Sequence, residues 1–283
     1  GPRFAWLLVT CAGLLFGVAS GFNFSYALVA LFGGFTAVST LYTTRSRWDI
    51  LTSAGIVSFV NAIVILSINF ILDPAELSQG TARAVAYGVT NGLLCGALVF
   101  PLLWLFERLF GVVTDFALLE LTGTIHPLIR ELEEKAPGSY QHTLNVTKLA
   151  EAAAREIGAN YLLVRAGGYF HDIGKFEKPR YFSENQLTQE DRLLHSKLSP
   201  YMSTLIIKNH VKEGIELASK VRGRHKIPRE VIAFIPEHQG TSLITYFYRQ
   251  AQKQFQESES TDPVHEDDFR YPGPKPQSIE TAI

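Results

Sequence analysis

Apolar residues are concentrated in the first 110 positions, where four runs are long enough to cross a lipid bilayer as helices. The hydrocarbon core of a bilayer requires about 20 apolar residues of helix. The third run contains uncharged polar residues such as Asn61 and Asn69, which can hydrogen-bond to neighbouring helices. The pattern predicts a multi-pass transmembrane helical bundle surrounded by lipid. The four runs cover residues 4–20, 25–42, 50–72 and 85–106.

After the last run the pattern becomes that of amphipathic helices. Residues 107–125 predict a helix leading out of the membrane, which acts either as a transmitter of movement or as a rigid spacer. From residue 125 onward helical patterns follow one another with short breaks, and no alternating run indicates a sheet. The acidic stretch between residues 255 and 277 predicts a solvated loop. We therefore predict an all-α chain, with a membrane domain at 1–110 and an all-helical domain at 111–283.

The short loops between the runs predict the orientation in the membrane. Arg45 and Arg47 lie between the second and third runs, whereas the next loop carries Asp73 and Glu76 and no basic residue. Because short cytoplasmic loops are enriched in Lys and Arg, the first of these loops is predicted to be cytoplasmic. Four spans then place the domain at 111–283 in the cytoplasm, anchored to the cell membrane.

Composition and the placement of ionisable residues argue against two classes of function. The chain is 47% hydrophobic with a net charge of −1, which argues against binding to polymeric nucleic acid. No ionisable residue lies deep within any of the four apolar runs. A transporter usually needs such a residue on its ion or substrate path, so this function is disfavoured.

Candidate chemistry centres on the stretch from Gly167 to Lys175, where His171 and Asp172 are adjacent. Divalent transition metals bind imidazole nitrogen together with carboxylate oxygen, and the two oxygens of one carboxylate can bridge two ions. A His-Asp dipeptide alone arises often by chance. Its weight depends on whether further histidines face it.

Three further histidines lie on predicted helices. One helix runs from Ser139 to Gly158 and places His142 on a stripe with Val146, Leu149 and Ala153. Another begins after the Ser199-Pro200 cap and turns His210 inward with Met202, Ile206 and Gly214. A third starts at Pro228 and puts His238 on a face with Val231 and Ile235. The remaining four histidines are predicted to be solvated: His126, His195, His225 and His265.

Each of these inward histidines taken alone is more simply a hydrogen-bonded core residue. Buried together they need partners, and a shared metal supplies a partner for all of them. A mixed His and Asp set suits manganese or iron. Tetrahedral structural zinc is disfavoured, because neither cysteine lies near this segment.

The order His142, His171-Asp172, His210, His238 resembles the HD phosphohydrolase superfamily. More narrowly, seven sequence motifs resemble those of the seven-transmembrane HD proteins, in the same order. They lie at residues 134–142, 171–175, 181–186, 197–200, 209–214, 238–242 and 271–278. The resemblance implies a membrane-bound phosphodiesterase that hydrolyses cyclic di-AMP to pApA.

The resemblance also implies a site with two divalent ions. One is held by His142, His171 and Asp172, and the other by His210 and His238, with Asp172 bridging the two. Asp172 and His171 are thereby at the catalytic centre. Lys175 is a candidate phosphate contact, and its alternative is an exposed surface lysine.

Three features depart from the family pattern. Gln239 stands where the family carries a second histidine, so it is a candidate ligand or substrate contact of weaker affinity. A further metal-binding aspartate of the family would lie on a helix beyond Ile283. The family also carries an extracellular domain after its first transmembrane helix and has seven spans, whereas four are predicted here. The sequence is therefore interpreted as a fragment of a longer protein, with a shortened natural relative as the alternative.

Two other functions stay open. One is an HD hydrolase of another nucleotide, although Tyr271-Pro272-Gly273 does not match the Gly-Tyr-Pro motif typical of the cyclic di-GMP branch. The other is a catalytically degenerate receptor that binds the nucleotide without turnover, which Gln239 would favour. A homodimer is possible with any of these functions.

Overall fold

The structure is a computed structural model that describes residues 2–42, 47–72, 79–123, 126–257 and 263–283. Its described residues divide into two compact units, Gly1–Phe116 and Ala117–Ile283. The predicted domain boundary between residues 110 and 111 stays a prediction. The residues used to predict orientation lie mostly outside the described ranges, since Arg45, Asp73 and Glu76 fall in the gaps.

The first unit begins with four helices: α1 Pro2–Ala19, α2 Phe24–Leu41, α3 Arg47–Leu72 and α4 Gln79–Phe110. Three of them are long and apolar enough to cross a membrane, namely Phe24–Leu41, Trp48–Leu72 and Gln79–Phe110. The helix over the first predicted run is apolar but shorter, spanning Arg3–Ala19. All four predicted runs are therefore helical, and three meet the length of a full span.

Helices α3 and α4 pack closely through small residues and polar contacts. A Cβ at Gly92 would overlap the Ser58 hydroxyl, so a larger residue would push the two helices apart. Ser58 Oγ donates to the Val89 carbonyl at 2.9 Å, and Asn61 Nδ2 donates to the Gly88 carbonyl at 3.2 Å. The uncharged polar residues of the third run thus hydrogen-bond between helices, as the sequence predicted.

The prediction of a single helix over residues 107–125 is wrong. Helix α4 ends at Phe110, and α5 covers Asp115–Gly123. Gly111 between them has a φ of +62°, a left-handed conformation that ends a helix. The chain therefore breaks and restarts within this segment.

Most of the described residues after Gly123 are also helical. The α-helices are α6 Pro127–Lys135, α7 Pro137–Glu156, α8 Tyr161–Phe170, α9 Gln189–Arg192, α10 Pro200–Lys220, α11 Arg229–Ile232, α12 Phe234–Glu237, α13 Thr245–Glu257 and α14 Ile279–Ala282. Short 3-10 segments cover Ile173–Glu177, Pro179–Tyr181, Ser183–Asn185, His195–Lys197, Gly223–His225 and Glu266–Phe269. Within the described ranges there is no strand, only an isolated antiparallel bridge between Leu243 and Arg270. The all-α prediction is confirmed.

Helix α7 buries a different face from the predicted one. Leu149 is 74% exposed, and the buried positions include Ser139, Thr143, Thr147 and Ala154. The reason is the close approach of α8, where a Cβ at Gly168 would lie 2.6 Å from Thr147 Oγ1. Small hydroxyl residues fit this contact, whereas the larger apolar residues of the predicted stripe do not.

The two other histidine helices need smaller corrections. Helix α10 begins after the Ser199 cap and buries His210 and Gly214 as predicted, although Met202 is half exposed. The helix predicted from Pro228 is divided at Ala233 into α11 and α12, and His238 lies in the turn that follows. Val231 and Ile235 are fully buried, so its apolar face is as predicted.

Candidate metal centre

The His-Asp pair lies where α8 gives way to a 3-10 turn. His171 is the C-terminal cap of α8, and Asp172 precedes the turn Ile173–Glu177. An ideal Cβ built on Gly174 in that turn would lie 2.6 Å from the main-chain nitrogen of Gly214 on α10. This close approach of the two backbones brings Asp172 next to His210.

Four histidines surround the Asp172 carboxylate, with two imidazoles near each of its oxygens. Oδ2 lies 3.1 Å from His171 Nε2 and 3.7 Å from His142 Nε2. Oδ1 lies 3.5 Å from His238 Nε2 and 3.6 Å from His210 Nε2. The result is two groups of three possible ligand atoms, His142-His171-Asp172 and Asp172-His210-His238, each within 4.8 Å of one another.

The opposite ring nitrogens fix how these histidines point. His171 Nδ1 donates to the Gly168 carbonyl at 2.7 Å, and His210 Nδ1 to the Ile207 carbonyl at 2.6 Å. His238 Nδ1 donates to the Ile235 carbonyl at 2.8 Å. With the proton on Nδ1, the Nε2 of each ring in its neutral form presents a lone pair toward Asp172, which is the arrangement of metal-ligating histidines.

Two buried atoms at this site lack hydrogen-bond partners in the described part of the chain. They are Asp172 Oδ1 and His210 Nε2. An unpaired buried carboxylate oxygen and an unpaired imidazole nitrogen are costly, and a cation between them satisfies both. The nitrogen and oxygen donor set therefore fits a divalent metal ion.

The surroundings keep Asp172, His142 and His210 in the forms that bind a cation. His171 differs, because burial would lower its pKa but the Asp172 carboxylate outweighs burial and raises the pKa of His171. Burial by itself would raise the pKa of Asp172, but His171, His238 and Lys175 outweigh it and hold that pKa well below the usual range. Burial lowers the pKa of His210 to about 4 and also lowers the pKa of His142. At neutral pH the centre thus offers an ionised carboxylate and neutral imidazoles at His142 and His210.

Lys175 is not a surface lysine, since its side chain is only 12% exposed. Its Nζ lies 2.8 Å from Asp172 Oδ2 and 2.8 Å from Glu184 Oε1. Burial disfavours the charged amine, but the two carboxylates prevail and raise the pKa of Lys175. The ammonium is therefore fixed at the edge of the site that His142 and His171 occupy. Its contact with a substrate phosphate stays a prediction.

Gln239 lies beside the candidate metal centre, with its Nε2 at 3.0 Å from His238 Nε2. The amide nitrogen and oxygen of glutamine can exchange places by rotation about the last side-chain bond. After that rotation the oxygen would lie next to the same imidazole nitrogen. Its role as a ligand or substrate contact stays a prediction.

Sequence reasoning missed the role of Glu184, which accepts hydrogen bonds from Lys175 Nζ at 2.8 Å and Ser139 Oγ at 2.9 Å. It lies in the 181–186 motif, which carried the family resemblance without assigning a function to any residue. Tyr271 was also missed. It is buried, and its ring lies 6.0 Å from that of His210.

The prediction that the four other histidines are solvated is wrong for His126, which is 1% exposed. Its Nδ1 accepts from the Leu128 amide at 3.2 Å as the cap of α6, and its Nε2 bonds to the His225 carbonyl at 2.9 Å. A position near a helix end does not by itself expose a side chain to solvent, and here both ring nitrogens have protein partners. His195 and His225 are half buried, and His265 is exposed.

Comparison with known proteins gives two family matches. Residues 1–114 match the family described as 7TM receptor with intracellular HD hydrolase, and residues 139–283 match the HD domain. Cyclic-di-AMP phosphodiesterase PgpH of Bacillus subtilis is 38% identical over 279 residues, covering 98% of this chain and 38% of the relative. The protein of the same name from Listeria monocytogenes is 39% identical over 253 residues, covering 89% of this chain and 34% of the relative.

A solved structure is also similar to part of this chain. It is the crystal structure of the HD domain of L. monocytogenes phosphodiesterase PgpH in complex with cyclic-di-AMP, with 43% identity and a TM-score of 0.50. The match covers 56% of this chain and 68% of that one. The present chain spans well under half the length of the curated relatives it matches.

The HD-domain match extends over half of the chain, and the motifs, fold and relatives agree with it. Three apolar helices and the match over residues 1–114 indicate a membrane protein. The chain therefore belongs to the HD-domain family, as a PgpH-like member whose first 114 residues match the 7TM receptors with an intracellular HD hydrolase.

Proposed function

We propose that this chain is a membrane-bound phosphodiesterase that hydrolyses cyclic di-AMP to pApA with two divalent metal ions. The observation that carries the proposal is the division of four imidazoles between the two oxygens of Asp172. One carboxylate that faces two ligand groups is the arrangement needed to bridge two ions.

In this mechanism His142 and His171 would hold one ion, His210 and His238 would hold the other, and Asp172 would serve both groups. Bound there, the ions would lower the pKa of a water molecule and neutralise charge on the phosphoryl oxygens. The hydrogen bonds from Nδ1 of His171, His210 and His238 to main-chain carbonyls keep the ligand nitrogens oriented. Lys175 supplies a further positive charge for the phosphate.

The choice of substrate is supported by the relatives. Two of them are named cyclic-di-AMP phosphodiesterases, and an HD domain 43% identical to this one was crystallised with cyclic-di-AMP. The donor set of imidazoles and one carboxylate supports manganese or iron. We further propose that the bundle at 1–110 crosses the membrane several times, that the domain at 111–283 lies in the cytoplasm, and that the chain forms a homodimer.

The test uses the 283-residue chain in detergent micelles with Mn²⁺ and cyclic di-AMP. We expect pApA to accumulate, as followed by chromatography, and no product from the Asp172→Asn variant, which keeps the shape of the side chain but loses its charge. Cyclic di-GMP in a parallel reaction tests the alternative substrate. Absence of pApA in the presence of bound manganese would contradict the proposal.

A second candidate is a receptor that binds cyclic di-AMP without hydrolysing it. It is favoured by Gln239, whose amide nitrogen lies 3.0 Å from His238 Nε2. A neutral amide binds manganese or iron more weakly than imidazole does. Tight binding of cyclic di-AMP without pApA, measured by calorimetry on the same preparation, would favour this receptor.

A further inference from the structure

The short 3-10 segment Ser183–Asn185 is fixed against the start of α7, beside the metal centre. A Cβ at Gly138 would overlap the Glu184 carbonyl oxygen, so the two backbones are in close contact. Asn185 Oδ1 accepts from the Ser139 amide at 3.0 Å, and Asn185 Nδ2 donates to Ser139 Oγ at 2.7 Å. The main chain at Glu184 is therefore held in one position.

The Glu184 carboxylate points from this segment toward Lys175. Its Oε1 accepts from Ser139 Oγ at 2.9 Å and from Lys175 Nζ at 2.8 Å. Lys175 Nζ also lies 5.2 Å from the centroid of the Phe182 ring. A lysine side chain normally has many rotamers, yet here its ammonium is enclosed by two carboxylates and an aromatic ring.

The place where the ammonium is held suggests what the contact is for. Lys175 Nζ lies 2.8 Å from Asp172 Oδ2, the same oxygen that faces His142 and His171. A substrate phosphate bound at the candidate metal centre would therefore lie close to this ammonium. Charges held in place before reaction stabilise a transition state more than charges that must first reorient.

We propose that Glu184 is a positioning residue, which holds the Lys175 ammonium where it contacts a non-bridging oxygen of the substrate phosphodiester. The proposal rests on the phosphodiesterase function proposed above. Glu184 acts through Lys175 and does not touch the substrate. The Ser139 and Asn185 contacts keep Glu184 itself from following the lysine.

Steady-state kinetics of the full chain provide the first test. Glu184→Ala should lower kcat by about 10²-fold, the usual effect of misplacing a catalytic group. KM should change little, because the contact strengthens in the transition state. Glu184→Asp keeps the charge and should recover part of kcat. Glu190→Gln is the matched control, because Glu190 is 72% exposed and lies 3.8 Å from Arg180 outside the site.

Labelling of Lys175 with an amine-reactive reagent, quantified by mass spectrometry, provides a second test that needs no turnover. We expect slow labelling in the parent chain and in Glu190→Gln, and faster labelling in Glu184→Ala. Unchanged labelling in Glu184→Ala would overturn the proposal, and so would faster labelling with an unchanged kcat. If the parent chain does not hydrolyse cyclic di-AMP, the proposed function fails, while labelling still shows whether Glu184 holds Lys175.

Discussion

Gly174 and His210 are in such close main-chain contact that a Cβ on Gly174 would overlap the His210 carbonyl oxygen. The two residues are distant in sequence, and their contact joins the turn after Asp172 to helix α10. Because His210 donates to Ile207 on the same helix, its ring orientation follows the position of α10. The geometry of the group Asp172-His210-His238 therefore depends on Gly174, which has no side chain to act as a ligand.

Replacement of Gly174 by alanine should separate the turn from α10. We expect a loss of about 1–3 kcal/mol in stability, as for other overpacked sites, and weaker Mn²⁺ binding. Thermal unfolding and metal titration measure the two effects. Gly55→Ala is the control, since a Cβ there meets nothing within 4 Å. Equal behaviour of the two variants would contradict this account.

Replacement of Gln239 by histidine should strengthen metal binding at the candidate group Asp172-His210-His238. An imidazole beside His238 Nε2 is a better ligand for manganese or iron than an amide. We expect Mn²⁺ binding at that site to tighten by about 10- to 100-fold, the range seen when groups around metal ligands are changed. Metal content per chain and pApA production should be measured together. A variant that binds Mn²⁺ no more tightly than the parent chain would contradict this prediction.

Addition of Mn²⁺ should stabilise the unit Ala117–Ile283, because the ion provides partners for Asp172 Oδ1 and His210 Nε2. At a free concentration of 100 times Kd the expected gain is about 2.7 kcal/mol. Thermal unfolding with and without a chelator measures it. The Asp172→Asn variant should lose the response, and an equal response in that variant would place the bound ion elsewhere.

Stability should fall below about pH 6.5 because of His126, which is not among the candidate metal ligands. Burial lowers the pKa of His126, so the folded state keeps it neutral while the unfolded state takes up a proton. Its contribution is therefore complete above the unfolded pKa and is lost as the pH falls toward the folded pKa.

His126→Asn is the matched variant for this prediction, since asparagine can still cap α6 but does not titrate. In chemical denaturation at a series of pH values without added metal, the stability difference between parent chain and variant should shrink from pH 7.5 to pH 5. A difference independent of pH would show that His126 does not titrate on unfolding.

The sequence by itself determined the helical character of the chain, the cap at Ser199, and which histidines and aspartate are candidate ligands. These features depend on local spacing and on side-chain chemistry, which are visible in one segment at a time. Adjacent His171 and Asp172 are such a local signal.

Only the tertiary structure decided which imidazoles face which oxygen of Asp172, which face of α7 is buried, and that Lys175 is enclosed by Asp172 and Glu184. These outcomes depend on how closely two backbones approach, as at Gly168 against Thr147. Such contacts join residues far apart in sequence. The periodicity of one helix cannot show whether its partner offers a glycine or a bulky side chain.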